Sequence, residues 1–139
     1  MIISNNLKMY AQKLRSSNLR PTKQRLKICQ FLFDRKKTFH FTVETLNKKI
    51  NKNRAMKVSL ATIYNTVEAF TSAGYLKEIL TSKNKSYYDT NIKSHHHFYD
   101  ETTKELTDIN YNQVKLNKLP TPPKGKKIKS FEVVIRIQK

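Results

Sequence analysis

The hydrophobic residues between positions 58 and 74 recur at the spacing of an α-helix. Ser59 is a residue type that caps helix amino termini, and Gly74 suits the left-handed conformation in which many helices end. At 3.6 residues per turn, the apolar residues fall on one stripe that can pack into a core. These residues are Leu60, Ile63, Val67 and Phe70. The pattern therefore predicts one helix of about four turns.

The opposite face of this predicted helix carries small neutral residues, whereas a solvated helix face is more often filled with Lys and Glu. Its first turns hold Ala61, Thr62 and Asn65, with Tyr64 on the flank. Small polar groups let a helix enter the major groove of DNA, where Asn and Thr reach base edges and methyl groups touch thymine. A surface helix without a special role is the alternative. We expect DNA contacts from this face, together with Ser59 at its start.

Three more amphipathic helices and two short strands are predicted before residue 90. They are helices 7–17, 22–33 and 42–50 and strands 75–80 and 86–89. Thr22 and Thr42 are the expected helix caps, and a Lys/Asn turn at 82–85 joins the strands. A helix-turn-helix followed by a hairpin is the winged-helix plan. Residues 1–90 are therefore predicted to form a winged-helix DNA-binding domain.

The remaining residues, 91–139, are predicted to form short strands. The strands are 95–99, 105–109 and a last segment in which Phe131, Val133, Ile135 and Ile137 alternate with polar residues. A turn at 101–104 joins the first two. Three strands in about 45 residues are too few to be stable alone, so we expect a homodimer. The predicted fold class is α+β: an N-terminal winged helix-turn-helix domain followed by a small α/β dimerisation domain.

Composition points to an anionic partner. The chain of 139 residues has 28 Lys and Arg against 10 Asp and Glu, a formal net charge of +18 and a pI of about 10.1. Nucleic acid is the partner that such a charge most often serves, although part of the excess reflects a general bias toward Lys, Asn and Ile. A membrane surface is the second choice, but the sequence lacks an apolar run of about 18 residues and a basic helix with a strongly apolar face.

The amino terminus and the cysteine content indicate a reducing compartment. The first residues lack the basic and apolar regions of a signal peptide, so we expect a cytoplasmic protein. Cys29 is the single cysteine, which excludes an internal disulfide and a cysteine-based zinc site. It falls among the apolar positions of the second predicted helix, and we expect it to be buried and unreactive.

Three consecutive histidines in the second half are candidate ligands. In a strand, His95 and His97 point to one face and His96 to the other, and Asp89 lies a few residues upstream. Imidazole and carboxylate groups together suit zinc, iron or manganese. A partly exposed strand that binds nothing is the alternative, and His40 on its own is typical of a loop residue before a helix.

Five segments taken together resemble the ferric uptake regulator (Fur) family, and within it most closely the iron response regulators (Irr). They are L-R-P-T-K-Q-R at 19–25, F-H-F-T-V-E-T-L at 39–46, V-S-L-A-T-I-Y-N-T-V at 58–67, S-Y-Y-D-T at 86–90 and H-H-H-F-Y at 95–99. The likeness spans residues 14–109 in order, and residues 127–138 also resemble the last strand of Irr-type proteins. The resemblance implies a dimeric transcription regulator that responds to a metal or to heme.

The resemblance also implies DNA-contacting roles. Tyr64 matches the family's base-contacting tyrosine, Arg20 a basic residue that reaches the minor groove or backbone, and Arg25 a backbone-contacting arginine. Asn65 stands where most of the family has arginine, as in Irr proteins. Because Asn prefers adenine and Arg prefers guanine, we expect an operator that differs from the common iron box.

For the sensor, the resemblance implies inter-domain metal ligands at four positions, so that one ion joins both domains. These positions are His40, Asp89, His95 and His97. The paired Cys-x-x-Cys of many members falls on Asp100 and Thr103, which excludes a structural zinc held by four cysteines, and the chain has no Cys-Pro heme motif. We expect heme to bind instead at the histidine run, residues 95–97, with an axial imidazole.

Several functions compete at this point. Reversible release from DNA when heme binds His95, His96 and His97 is our first hypothesis, and a divalent-metal (Fe, Mn or Zn) sensor with the same fold is the alternative. A metal-dependent hydrolase needs a general base and a substrate pocket, and the sequence has no candidate nucleophile or His-Glu-x-x-His motif. A nucleic-acid packaging protein would explain the charge but not the small-residue helix face. We therefore predict a regulator and not an enzyme.

Overall fold

Helices and strands fall into two separate units. The computed structural model describes residues 2–52, 56–81 and 84–139, with side chains from Asn6 onward. Its internal contacts divide the chain into Met1–Ile92 and Lys93–Lys139. Half of the predicted turn, residues 82 and 83, lies outside the described residues. Within those described, no helix combines the length and the apolar character needed to cross a bilayer.

The helices of the first unit begin at the predicted caps. They are α1 (Ile2–Ser16), α2 (Lys23–Phe33), α3 (Val43–Ile50) and α4 (Leu60–Ser72). Thr22, Thr42 and Ser59 each accept the backbone N–H three residues further on, which satisfies a donor that the first turn leaves unpaired. Gly74 follows α4 at φ +88°, a left-handed conformation that favours glycine. The predicted caps are therefore confirmed.

The apolar stripes of the helices meet in one core in the first unit. Its fully buried side chains include Leu14, Ile28, Leu46, Ile63, Val67 and Phe70. Cys29 is buried among them, as predicted, and burial raises the pKa of its thiol to about 12. The thiol therefore stays protonated at neutral pH, which removes its nucleophilicity.

The predicted apolar stripe of α4 is wrong at one position. Leu60 is 47% exposed, while Thr66 is fully buried. Helical side chains lean toward the amino terminus of their helix, so Leu60, in the first turn, projects past its end. Thr66 tolerates burial because its hydroxyl donates to the Thr62 carbonyl at 2.7 Å.

An antiparallel sheet completes the first unit. It contains β1 (His40–Phe41), β2 (Lys77–Leu80) and β3 (Ser86–Asp89), with β3 in the centre. The hairpin of β2 and β3 matches the prediction, but β1 was predicted as part of a loop. Two residues are too few to show the alternation of a strand. The pairing of β1 with β3 places His40 opposite Asp89.

The second unit is rich in β-structure. Its strands are β4 (His95–Asp100), β5 (Leu106–Asn110) and β6 (Val134–Ile137). The central β4 pairs antiparallel with β5 and parallel with β6. Helical structure among the described residues of this unit is limited to a 3-10 turn, Tyr111–Gln113.

The last strand is less buried than its alternating pattern predicted. It begins only at Val134, and Ile135 and Ile137 are 38% and 40% exposed. β6 is an edge strand of its sheet, so its side chains have a neighbouring strand on one side only. Burying these two isoleucines therefore requires a surface outside the second unit.

We expect Ile63→Ala to lower the free energy of unfolding by about 3 kcal/mol, because it leaves a cavity at a fully buried position. Leu60→Ala, one turn earlier on the same helix, should change it by less than about 0.5 kcal/mol, since Leu60 is exposed. Urea denaturation followed by circular dichroism measures both. Equal losses would show that Leu60 packs in the core after all.

Candidate metal centre and nucleic-acid interface

The exposed face of α4 presents the side chains predicted to contact DNA. Ala61 and Asn65 are exposed, Tyr64 is 41% exposed and Thr62 is half-buried. The Ser59 hydroxyl accepts the Thr62 backbone N–H and lies 2.7 Å from the Thr62 hydroxyl, so it is engaged in capping the helix. Small accessible groups therefore stand on a helix whose amino end is fixed.

An open cleft brings the start of α2 beside α4. It measures about 420 Å³ and is lined by Thr22, Lys23, Gln24, Arg25 and Thr62. The Arg25 guanidinium donates to the Arg20 carbonyl at 2.8 Å, which braces the loop before α2. Arg20 itself is exposed. Two predicted DNA-contacting residues, Arg25 and Thr62, thus share one cleft.

Asn51 ties the end of α3 to the start of α4. Its side-chain oxygen accepts the Val58 N–H at 2.7 Å, and its amide donates to the Val58 carbonyl at 2.9 Å. The same amide also donates to the Asn47 side-chain oxygen at 2.7 Å. Because one side chain holds both ends of the connection, α4 leaves α3 at a fixed point.

His40 and Asp89 form a first cluster, the amino-terminal pair. Across β1 and β3, His40 Nε2 lies 3.1 Å from Asp89 Oδ2, and Asp89 Oδ1 accepts the Asn91 backbone N–H at 2.8 Å. Asp89 is fully buried. A buried carboxylate is costly unless hydrogen bonds, an opposite charge or a metal ion balance it. The pair is therefore a candidate for metal binding, since an ion there would balance the Asp89 charge.

His95, His97 and Asp108 form a second cluster, the carboxy-terminal triad. Both histidines place Nε2 at 3.3 Å from Asp108 Oδ1. The His95 Nδ1 lies 2.5 Å from the Lys93 carbonyl. Since a carbonyl can only accept, Nδ1 carries the proton, and the neutral ring then turns the Nε2 lone pair toward the carboxylate. A metal ion placed between these two acceptors would satisfy both of them.

Asp108 is missing from the predicted ligands, although the sequence contained enough information to find it. The predicted turn at 101–104 sets the hairpin register, and that register places residue 97 opposite residue 108, as the structure has it. Counting back from the turn would have brought a carboxylate onto the same face as His95 and His97.

His96 lies on the other face of β4, where it packs in the second unit. It is fully buried, its ring stacks on Tyr111 with 5.2 Å between centroids, and its Nδ1 accepts the Val133 N–H at 2.9 Å. The predicted heme ligands are thus divided between two faces. His95, His96 and His97 are only 6%, 0% and 1% exposed, so they offer a heme no common accessible surface.

The donor chemistry of the pair and the triad fits a divalent metal ion. Together they offer three imidazoles and two carboxylates, and the ligand atoms within the triad lie within 4.8 Å of one another. Nitrogen and oxygen donors in this mixture suit iron, manganese or zinc. The hydrogen bond from His95 Nδ1 to a backbone carbonyl is also the usual support of a metal-binding imidazole.

Asp100 closes the turn between β4 and β5. Its carboxylate accepts the backbone N–H groups of Thr102 at 2.8 Å and Thr103 at 3.2 Å, and its carbonyl accepts the Lys104 N–H at 2.8 Å. The hydrogen bonds from Thr103 and Thr102 lower the pKa of the Asp100 carboxyl. The chain therefore uses a carboxylate at residue 100 to hold the backbone of this turn.

Comparison with known proteins gives one family. The model of the ferric uptake regulator family matches residues 16–136. The peroxide-responsive repressor PerR of Staphylococcus epidermidis is 28% identical over 112 residues, which cover 81% of this chain and 73% of that protein.

Solved structures of ferric uptake regulators share the fold. The Pseudomonas aeruginosa protein, solved with manganese, has a TM-score of 0.68 and 20% identity, covering 94% of this chain and 97% of the other. The Vibrio cholerae protein has a TM-score of 0.67 and 19% identity, covering 93% and 98%. At these identities the likeness establishes the fold.

We expect the Asp100 carboxyl to titrate below its ordinary pKa of 3.8, because the turn favours its charged form. With the folded pKa lowered, its stabilising contribution is present above the ordinary pKa and is lost as the pH falls through the lowered value. Carbon-detected NMR titration measures this pKa, and Asp100→Asn identifies the resonance. A pKa at or above 3.8 would contradict the role given to the turn.

Proposed function

Since the chain belongs to the ferric uptake regulator family, matched over residues 16–136, we propose that it is a metal-responsive transcriptional regulator of its own set of operators. Members of this family are transcriptional regulators and not enzymes, and they bind operator DNA as homodimers. The observation that carries the proposal is that one chain contains both a candidate DNA-contacting surface and a candidate metal site. These are the exposed small-residue face of α4 and the His/Asp clusters.

One divalent ion, in this proposal, is held jointly by the amino-terminal pair and the carboxy-terminal triad. The pair supplies two donors and the triad three, whereas iron, manganese and zinc sites take roughly four to six. Neither cluster is therefore a full ligand set. A bound ion supplies positive charge to the carboxylates, while Lys93 and Asn91 orient His95 and Asp89 through their backbone groups.

Sharing the ion would couple metal supply to DNA binding. His40 and Asp89 belong to the first unit, and the triad belongs to the second. An ion bound by ligands from both units favours those arrangements of the units in which all its ligands can reach it. Metal binding then changes DNA affinity only by the difference in metal affinity between the DNA-binding arrangement and the others. The operator-binding population therefore follows the availability of metal.

For operator recognition, we assign α4 to the major groove in a winged-helix arrangement. Asn65 can make a bidentate pair with N6 and N7 on the major-groove edge of adenine, and Ala61 and Thr62 offer methyl groups to thymine. Arg20 and Arg25 supply cations for the phosphate backbone. On the edge strand β6, the exposed Ile135 and Ile137 give a second copy an apolar surface to cover.

We expect Asn65→Ala or Tyr64→Ala to weaken operator binding by about tenfold while leaving binding to random DNA nearly unchanged. Arg20→Ala should lower affinity for both DNAs and reduce the salt slope by about one, because it removes one phosphate contact. Fluorescence anisotropy near physiological salt measures these constants. Equal losses on operator and random DNA for Asn65→Ala would exclude direct base readout.

We expect Asp108→Asn to weaken manganese binding by more than about tenfold, because it removes a charged oxygen ligand. Glu105→Gln is the matched control, since this exposed carboxylate precedes the same strand and lies outside the triad. Asp89→Asn in the first unit should weaken binding as much as Asp108→Asn if the ion is shared. Isothermal titration calorimetry compares the three. Unchanged affinity in Asp89→Asn would contradict a shared ion.

Heme and peroxide are the competing signals. The Irr-like hypothesis expects a Soret band that disappears when His95, His96 and His97 are replaced, and release of DNA on heme addition. The name of the Staphylococcus epidermidis relative favours peroxide as a second candidate signal. DNA shift assays with manganese, iron, zinc, heme or hydrogen peroxide separate these signals. Metal-dependent DNA affinity with no response to heme supports the proposal, and indifference to every metal overturns it.

A further inference from the structure

A lysine-rich segment of the second unit is not explained by dimerisation or metal binding. Between Asp108 and Glu132 the chain has six basic residues and no acidic one. The basic residues are Lys115, Lys118, Lys124, Lys126, Lys127 and Lys129. Uncompensated charge of this density repels itself and is stabilised when an anionic partner binds.

The centre of this segment is a tight turn that projects side chains into solvent. The Lys126 N–H donates to the Pro123 carbonyl at 3.0 Å, and Gly125 has φ +79°. Residues 123–130 are all exposed. A Cβ added at Gly125 would meet no atom within 4 Å, so glycine serves the backbone conformation there and not close packing. The turn thus presents bare backbone between Lys124 and Lys126.

The shape and the charge of this turn fit a narrow groove that is lined by anionic groups. The minor groove of B-DNA is about 6 Å wide, and in A-tracts it is narrower, with an enhanced negative potential that attracts inserted cationic side chains. A backbone without a side chain at the tip can approach the groove floor, while a lysine on each side follows the phosphates. Residues 123–130 contain no aromatic side chain, so stacking on single-stranded bases is not their chemistry.

We propose that the turn at residues 123–126 binds the minor groove of A·T-rich duplex DNA, as a second DNA contact in addition to the one proposed for α4. This inference rests on the proposed function, since it assumes a DNA-bound protein. The sequence of α4 agrees with such a target. Leu60–Ser72 contains no Lys or Arg, the residues that read guanine best, and offers Asn65 for adenine.

The test uses variants of the 139-residue chain. Some of them change the charge of the turn, and one changes its backbone conformation. Lys124→Gln with Lys126→Gln removes the two cations of the turn, and Lys115→Gln with Lys118→Gln removes two cations of the same segment outside it. Gly125→Ala strains the left-handed backbone at unchanged charge. The probes are a duplex of A·T pairs and the same duplex with 2,6-diaminopurine for adenine, which adds an amino group in the minor groove only.

We expect the turn double variant to bind the A·T duplex about tenfold more weakly at physiological salt, with a smaller salt slope. Gly125→Ala should lose affinity in the same direction, and the Lys115/Lys118 variant should lose less. Diaminopurine should weaken the wild-type protein and have little further effect on the turn double variant.

Equal losses in both double variants, or no effect of diaminopurine on the wild type, would overturn the inference and leave the proposed function standing. Failure of the wild-type protein to bind any duplex, with or without manganese, would instead overturn the proposed function itself. The two failures are therefore distinct.

Discussion

A carboxylate with no exposed surface constrains much of this molecule. Asp89 ends the central strand of the first sheet, and burial of its charge is tolerable only with partners on both oxygens. The Asn91 N–H serves one oxygen and His40 the other. The pairing of the short strand β1 with β3 brings His40 to this position. A two-residue strand thereby supports one of the candidate metal ligands.

Helix α4 serves the core and the surface with opposite faces. Ile63, Val67 and Phe70 anchor it in the first unit, and the hydrogen-bonded hydroxyl of Thr66 lets a polar residue share that buried face. The anchoring bears on the DNA contact proposed for α4, because base recognition requires side chains held by a rigid element. Asn51 adds to the rigidity by fixing the point where the helix begins. The small outward side chains then leave room for a close approach to DNA.

The sequence was sufficient for the parts of the fold that have strong local signals. Helix caps such as Thr42 depend on a few neighbouring residues, and the helices followed from apolar spacing. Features that depend on distant neighbours were missed. The strand β1 has only two residues, too few to show a pattern. The exposure of Leu60 depends on its position at the first residue of α4, and the exposure of Ile135 depends on β6 being an edge strand.

The ligand site shows the same division. Adjacent histidines are visible in any sequence, but Asp108 joins them only through strand register. The resemblance supplied His40, which residue chemistry alone treats as a loop histidine, and placed it in one ligand set with Asp89. Pairing across strands is what turns these scattered residues into two donor sets.

The Asp100 turn has a consequence for how the protein meets changing supplies of metal and oxidant. Its connection is closed by a side-chain oxygen and backbone amides of the chain itself, and the one thiol of the sequence is shielded in the other unit. Closure of the β4–β5 connection therefore needs no thiol ligand, so neither loss of a cysteine-bound zinc nor oxidation of Cys29 can open this turn.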